Sequence, residues 1–127
     1  MIWASKVHKS WKKYEVHAVE HQAELMYIYF GLEDVEIELR LKKDNPNFFG
    51  FCERESNKHM VITIHHCDKF TEMLCTVIHE MTHAKQFAFK ELKDDHTWKG
   101  SKRWQKVKYE NQPWEIEAHK MEGLFSK

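Results

Sequence analysis

The chain has 127 residues, 42% of them apolar and 31% charged, a balance that excludes disordered, collagen-like and low-complexity classes. Its 20 Lys plus Arg offset its 20 Asp plus Glu, so net charge does not point to a strongly basic nucleic-acid binder. One domain spanning residues 1–127 is expected, with a core that needs neither disulfides nor a structural metal.

The three cysteines, Cys52, Cys67 and Cys75, are odd in number and lack CxxC spacing. This argues against a disulfide framework or a zinc ribbon and fits a reducing compartment. The first residues lack the apolar run of a signal peptide. No stretch approaches the roughly 18 apolar residues that span a membrane. The expectation is a soluble, cytoplasmic protein.

In chain order, residues 3–29 place Trp3, Val7, Trp11, Tyr14, Ala18, Leu25 and Ile28 at steps of three, four or seven. That spacing predicts one long amphipathic helix stopped near Gly31. The period then becomes two. Val35, Ile37, Leu39 and Leu41 alternate with Glu36, Glu38, Arg40 and Lys42, which predicts a half-buried strand. Residues 49–54 and 60–64 read as two further strands joined through Glu55–Lys58. Three strands with short links predict an antiparallel meander. Helical spacing returns over residues 70–90, with Leu74, Ile78, Met81 and Ala88 offered to a core. His65-His66-Cys67-Asp68 reads as a strand end, with Asp68 or Thr71 capping the helix. Pro113 suits the first position of a last helix, ended by Gly123. Trp114, Phe125 and the run Tyr27-Ile28-Tyr29-Phe30 are expected in the core.

The helix over 70–90 contains His79-Glu80-Met81-Thr82-His83. Residues i and i+4 share a helical face, so both imidazoles can reach one ion. Neutral imidazole suits Zn²⁺. Glu80, beside the first ligand, is placed to take a proton from a water that zinc acidifies and to pass it to a leaving amine. A catalytic zinc wants a third protein ligand. The candidates are His96, Glu115, Glu117 and His119. Glu115 and Glu117, two apart on a helix, point roughly 200° from each other, so only one can face the ion. Residues 98–108, WKGSKRWQKVK, carry basic residues and two Trp but no acid. Lys102, Arg103 and Lys106 there could pair with phosphates while the rings stack on bases; the plainer reading is a solvated loop.

The segment HEMTHAKQF with the later DDHTWKG resembles the SprT-like and Spartan-type zincin domains, whose signature is HExxHA, a loop, and a His-Gly-containing element. The tail YENQPWEIEA, residues 109–118, is similar to small metallopeptidase-like proteins of phage genomes. Those pair HExxH and Trp-Lys-Gly with a Pro-Trp-Glu-x-Glu-Ala helix. The resemblance covers about residues 48–122. It implies an α+β, minimal zincin-like fold: an N-terminal helix, a three-stranded mainly antiparallel sheet, the HExxH helix and a short C-terminal ligand helix. It also implies one Zn²⁺ per chain, hydrolysis of a protein or peptide substrate, and a phage protein acting in host cytoplasm.

The same resemblance ranks Glu115 first as third ligand, with Ala118 admitting close helix approach and His119 supporting the site from behind. Glu117 and His96 are the alternatives. It further assigns the strand before the HExxH helix, here residues 60–65, to align an extended substrate. The chain departs from the SprT-like pattern after His96, where Thr97-Trp98-Lys99-Gly100 replaces His-Gly. The crosslink-repair role of those families is therefore not carried over. A rival reading is a zincin-fold module that binds nucleic acid or protein without proteolytic turnover.

Overall fold

A computed structural model describes residues 1–125. It is α+β, with three α-helices and one four-stranded mixed sheet. Strands β1 (Ile2–Val7), β2 (Glu36–Lys42), β3 (Gly50–Ser56) and β4 (His59–His65) combine with helices α1 (Lys13–Tyr29), α2 (Phe70–Ala88) and α3 (Pro113–Phe125). Among the described residues no helix is long and apolar enough to cross a membrane.

The long N-terminal helix expected over 3–29 is instead a strand followed by a helix. Trp3 and Val7 lie in β1, which runs parallel to β2. α1 is thus the crossover that a parallel pair requires. The buried stripe of α1 is Val19, Ala23, Met26 and Tyr27, while Tyr14, Leu25 and Ile28 face solvent. Tyr29 is exposed too, so the expected aromatic core run holds only for Tyr27 and, in part, Phe30.

The antiparallel meander is also corrected. The sheet order is β1-β2-β4-β3, with β2 and β4 parallel and only β3–β4 antiparallel. After β2 the chain swings out to the edge as β3 and turns at Asn57-Lys58. It then returns as β4 between β2 and β3. β4 takes the centre, where Met60 to Ile64 are all buried: Met60, Ile62 and Ile64 point into the core, and Val61 and Thr63 on the other face are flanked by strands on both sides. The substrate-aligning edge expected at residues 60–65 is therefore closed on both sides, and the open edge near α2 is β3.

Register carries the apolar rows across the sheet. Ala4, Leu39, Ile62 and Cys52 stand side by side, as do Val7, Leu41, Ile64 and Gly50. Val7 at the end of its row is exposed, while Leu39, Leu41, Ile62 and Ile64 of these rows share one core with Met73, Val77, Ile78, Met81 and Ala84 of α2. Each such side chain contributes roughly 1.5–3 kcal/mol on burial, methyl-sized Ala84 less. Leu74 and Ala88, expected in the core, are only partly buried against it. The first residue of α2 is preceded by Lys69, so neither Asp68 nor Thr71 is its cap. At the far end α3 continues through Gly123 to Phe125. Trp114 is buried as expected and Phe125 partly so.

Two contacts set where α2 sits. Glu15 accepts from the Lys12 backbone N–H at 2.7 Å, and His66 Nε2 lies 3.1 Å from both Glu15 oxygens. This ties the start of α1 to the turn that launches α2. Burial alone would raise the Glu15 carboxyl, but the Lys12 N–H and His66 outweigh it and hold it below its ordinary range. The second contact is Gly50. A Cβ there would lie 2.5 Å from the Thr63 carbonyl and 2.8 Å from Thr76 Cγ2 of α2.

Two measurements check these contacts. Gly50→Ala should lose about 1–3 kcal/mol in urea unfolding, because β3 must shift away from both the β4 backbone and α2. Glu15→Gln should cost about 1–2 kcal/mol at pH 7. A depressed folded pKa contributes stability above the unfolded pKa and loses it as pH falls through the folded value. The Glu15→Gln deficit should thus shrink as pH falls from the ordinary carboxylate range through the depressed folded value.

Candidate metal centre

His79 and His83 lie mid-helix on the side of α2 that α3 covers. Thr82, between them, is fully buried and returns its hydroxyl to the Ile78 carbonyl at 2.8 Å. Pro113 opens α3 and puts Glu115 in its first turn. Buried Ala118, one turn on, lets the two helices approach.

The result is a triangle of donor atoms. His79 Nε2 stands 2.9 Å from Glu115 Oε1, His83 Nε2 stands 3.2 Å from the same oxygen, and the two Nε2 atoms are 3.2 Å apart. Zinc–nitrogen bonds of about 2.0–2.1 Å in a tetrahedron place ligand atoms roughly 3.3 Å apart. The donor set and its spacing fit such an ion.

The far nitrogen of each ring is also held. His79 Nδ1 donates to Glu122 Oε2 at 2.8 Å, and His83 Nδ1 donates to Gln86 Oε1 at 2.7 Å. With Nδ1 protonated, a neutral imidazole turns its Nε2 lone pair toward Glu115. Two lone pairs and a carboxylate oxygen then face one another, an arrangement that only protons or a cation can balance. Protons alone would charge both rings. Burial opposes that charge, but Glu115 and Glu122 overcome it and push His79 up to about 10. His83 is likewise raised against its burial, chiefly by Glu115. Burial would raise Glu115, but the two histidines hold it far below its ordinary range.

Glu80 is 6% exposed, and no side chain or backbone group hydrogen-bonds its carboxylate among the described residues. Burial pushes it above the usual carboxylate range despite the neighbouring histidines. It lines the same cleft of about 560 Å³ as His79, His83 and Glu115.

The other expected residues divide. Glu117 turns away: it accepts from Lys85 Nζ and Gln86 Nε2, each at 2.9 Å, and so clasps α3 to α2 outside the triangle. His96 lines the cleft but packs its ring on Trp114 at 5.1 Å and does not join the donor groups. His119 stands beside the site, with its Nδ1 2.8 Å from Glu122 Oε2 and its Nε2 3.2 Å from the Tyr109 hydroxyl. Lys102, Arg103 and Lys106 are exposed on the α2–α3 connection and do not line the cleft. The Arg103 guanidinium lies 4.5 Å over Trp104.

Glu122 and Gln86 were not anticipated. Glu122 is seven residues past Glu115 and three past His119, so one helical stripe carries all three. Gln86 is three past His83. Both follow from extending the i+3/i+4/i+7 rule beyond the motif. Comparison with family models, with curated proteins and with solved structures finds no match to this chain.

Proposed function

We propose that the chain is a zinc-dependent metallopeptidase of minimal zincin type, as the SprT-like resemblance implies. The observation that carries this reading is the donor triangle of His79, His83 and Glu115, drawn from two helices and backed by Glu122 and Gln86. Those three side chains would hold the ion. Bound there, zinc would supply Lewis acidity, activating water near neutral pH and polarising a carbonyl.

The chain's own residues do the rest. Glu80, unpartnered and raised by burial, takes a proton from water as oxygen attacks the peptide carbon. It then delivers that proton to the amine as the C–N bond breaks. Glu122 and Gln86 hold the two imidazoles in one tautomer and one orientation, so Nε2 stays aimed at the site. The free edge of β3, whose first residues line the cleft, would align an extended substrate by backbone pairing.

Two experiments test the reading. Elemental analysis should find about one zinc per chain. His79→Ala, His83→Ala and Glu115→Ala should each lose it, while Glu117→Ala and His96→Ala keep it; full zinc in Glu115→Ala would sink the ligand set. Glu80→Gln should keep the zinc and lose hydrolysis by a factor on the order of 10² or more. Equal turnover by wild type and this variant would refute the base.

A further inference from the structure

The donor triangle uses one nitrogen of the His79 ring. On the other side of that ring, Nδ1 stands 2.8 Å from Glu122 Oε2, and the same oxygen lies 2.8 Å from His119 Nδ1. These three donor atoms all lie within 4.8 Å of one another, a second nitrogen-and-carboxylate group that shares His79 with the first. His119 also has a partner behind it. Its Nε2 lies 3.2 Å from the Tyr109 hydroxyl, which can accept a hydrogen bond from Nε2–H and so leave Nδ1 with its lone pair. A ligating imidazole ordinarily has such a partner on its other nitrogen. Charge points the same way. Glu80, Glu115 and Glu122 line the cleft, and among the described residues no lysine or arginine does. With all three ionised, one divalent ion in the triangle offsets only two of their charges.

We propose that Glu122, His119 and the Nδ1 side of His79 form a second divalent-cation site, so that the cleft holds two ions joined through one imidazole ring. This rests on the metal reading of the triangle for the inner ion, and not on peptide hydrolysis. As the outer ion binds, His79 gives its Nδ1 proton to water and bridges as imidazolate. His119 keeps its proton but carries it on Nε2, toward Tyr109. One divalent ion enters and one proton leaves, so the cleft gains the single positive charge that its third carboxylate lacks. Binding is weaker here than in the triangle. A ring already on one ion must lose a proton, the two ions repel, and the His119 and Glu122 side chains are 56% and 24% exposed. Two nitrogens and a carboxylate suit Zn²⁺, and Cu²⁺ more tightly by the usual order of divalent ions. The outer ion does not share the attacking water. Nδ1 and Nε2 lie on opposite sides of the ring, so ions at bonds of about 2.0–2.1 Å stand farther apart than the roughly 3.5–4 Å of centres that clamp one oxygen. It acts through the ring instead: imidazolate donates more strongly than neutral imidazole and makes the inner ion a weaker Lewis acid.

The test is equilibrium dialysis of the metal-stripped full chain against rising free Zn²⁺, with bound zinc counted by elemental analysis. Wild type should fill one tight site and then a second, at least about tenfold weaker. His119→Ala should lose the weak ion and hold the tight one within about tenfold of wild type. His83→Ala should do the reverse, and His79→Ala, which removes the shared ring, should lose both. Each of the first two variants keeps one ion, so neither loss comes from failure to fold. A second ion that survives His119→Ala overturns the proposal; His17 and His21, exposed four apart on α1, would then be its place. Loss of both ions in His119→Ala overturns it too, because the two sites would not be separate. A wild-type chain that saturates at one ion also overturns it, and His83→Ala then decides the triangle by itself. Losing that ion keeps the triangle as the metal centre, and retaining it sinks that reading as well.

Discussion

The buried amide of Gln86 is the interaction on which the site's geometry depends. The side chain has no exposure at all, so every polar atom on it must find a partner within the protein. Its oxygen accepts from His83 Nδ1, and its nitrogen donates to the Trp114 carbonyl and to Glu117. The first contact orients a ring on α2. The other two grip the start of α3. One amide therefore sets both the direction of His83 and the distance at which Glu115 arrives. Lys85, reaching Glu91 at 2.8 Å and Glu117 at 2.9 Å, reinforces the same grip from the side.

Charge explains why the cleft is arranged around imidazoles. Three carboxylates, Glu80, Glu115 and Glu122, line a single cleft with four histidines, His79, His83, His96 and His119. Carboxylates so close would each rise in pKa if left alone. Glu115 and Glu122 are instead engaged on either side of His79, and Glu122 also takes His119. Glu80 has no such partner among the described residues, and burial pushes it up, whereas His79 and His83 hold Glu115 down against its own burial. Environment thus gives neighbouring carboxylates different proton affinities, the separation a proton-transferring site requires.

How much of this was legible depended on range. The i,i+4 pairing of His79 and His83, the strand spans near residues 36–41 and 60–64, and the start of α3 at Pro113 are local properties, and local spacing displayed them. The N-terminal strand was hidden because Trp3, Val7 and Trp11 fall four apart by coincidence, so β1 was absorbed into the helix that follows it. With β1 hidden, no crossover was visible, and a parallel sheet had no motive. The position of β4 between β2 and β3 rests on pairings such as Leu39 with Ile62, which no short window contains. Spacing alone left Glu115 and Glu117 both open, and only the family resemblance ranked Glu115 first, because their difference lies in partners on α2, more than thirty positions away in the chain. Glu122 and Gln86 were missed because a polar residue on a helix resembles solvent-facing surface until a second helix covers it.

The donor triangle draws two atoms from α2 and one from α3, and the connection between those helices has little regular structure. That connection contains Lys90, His96 and Lys99, all non-glycine residues in left-handed conformations with φ of 59°, 64° and 47°. Such backbone holds strain of about 1–3 kcal/mol at each point, which only surrounding contacts can maintain. An ion gripped from both helices would act as a clasp across this strained span, binding the folded chain and not the unfolded one. Folding and metal uptake would then be coupled, with stability rising as the logarithm of free ion concentration once the site is filled. The supply of metal would set the lifetime of the protein as well as its chemistry.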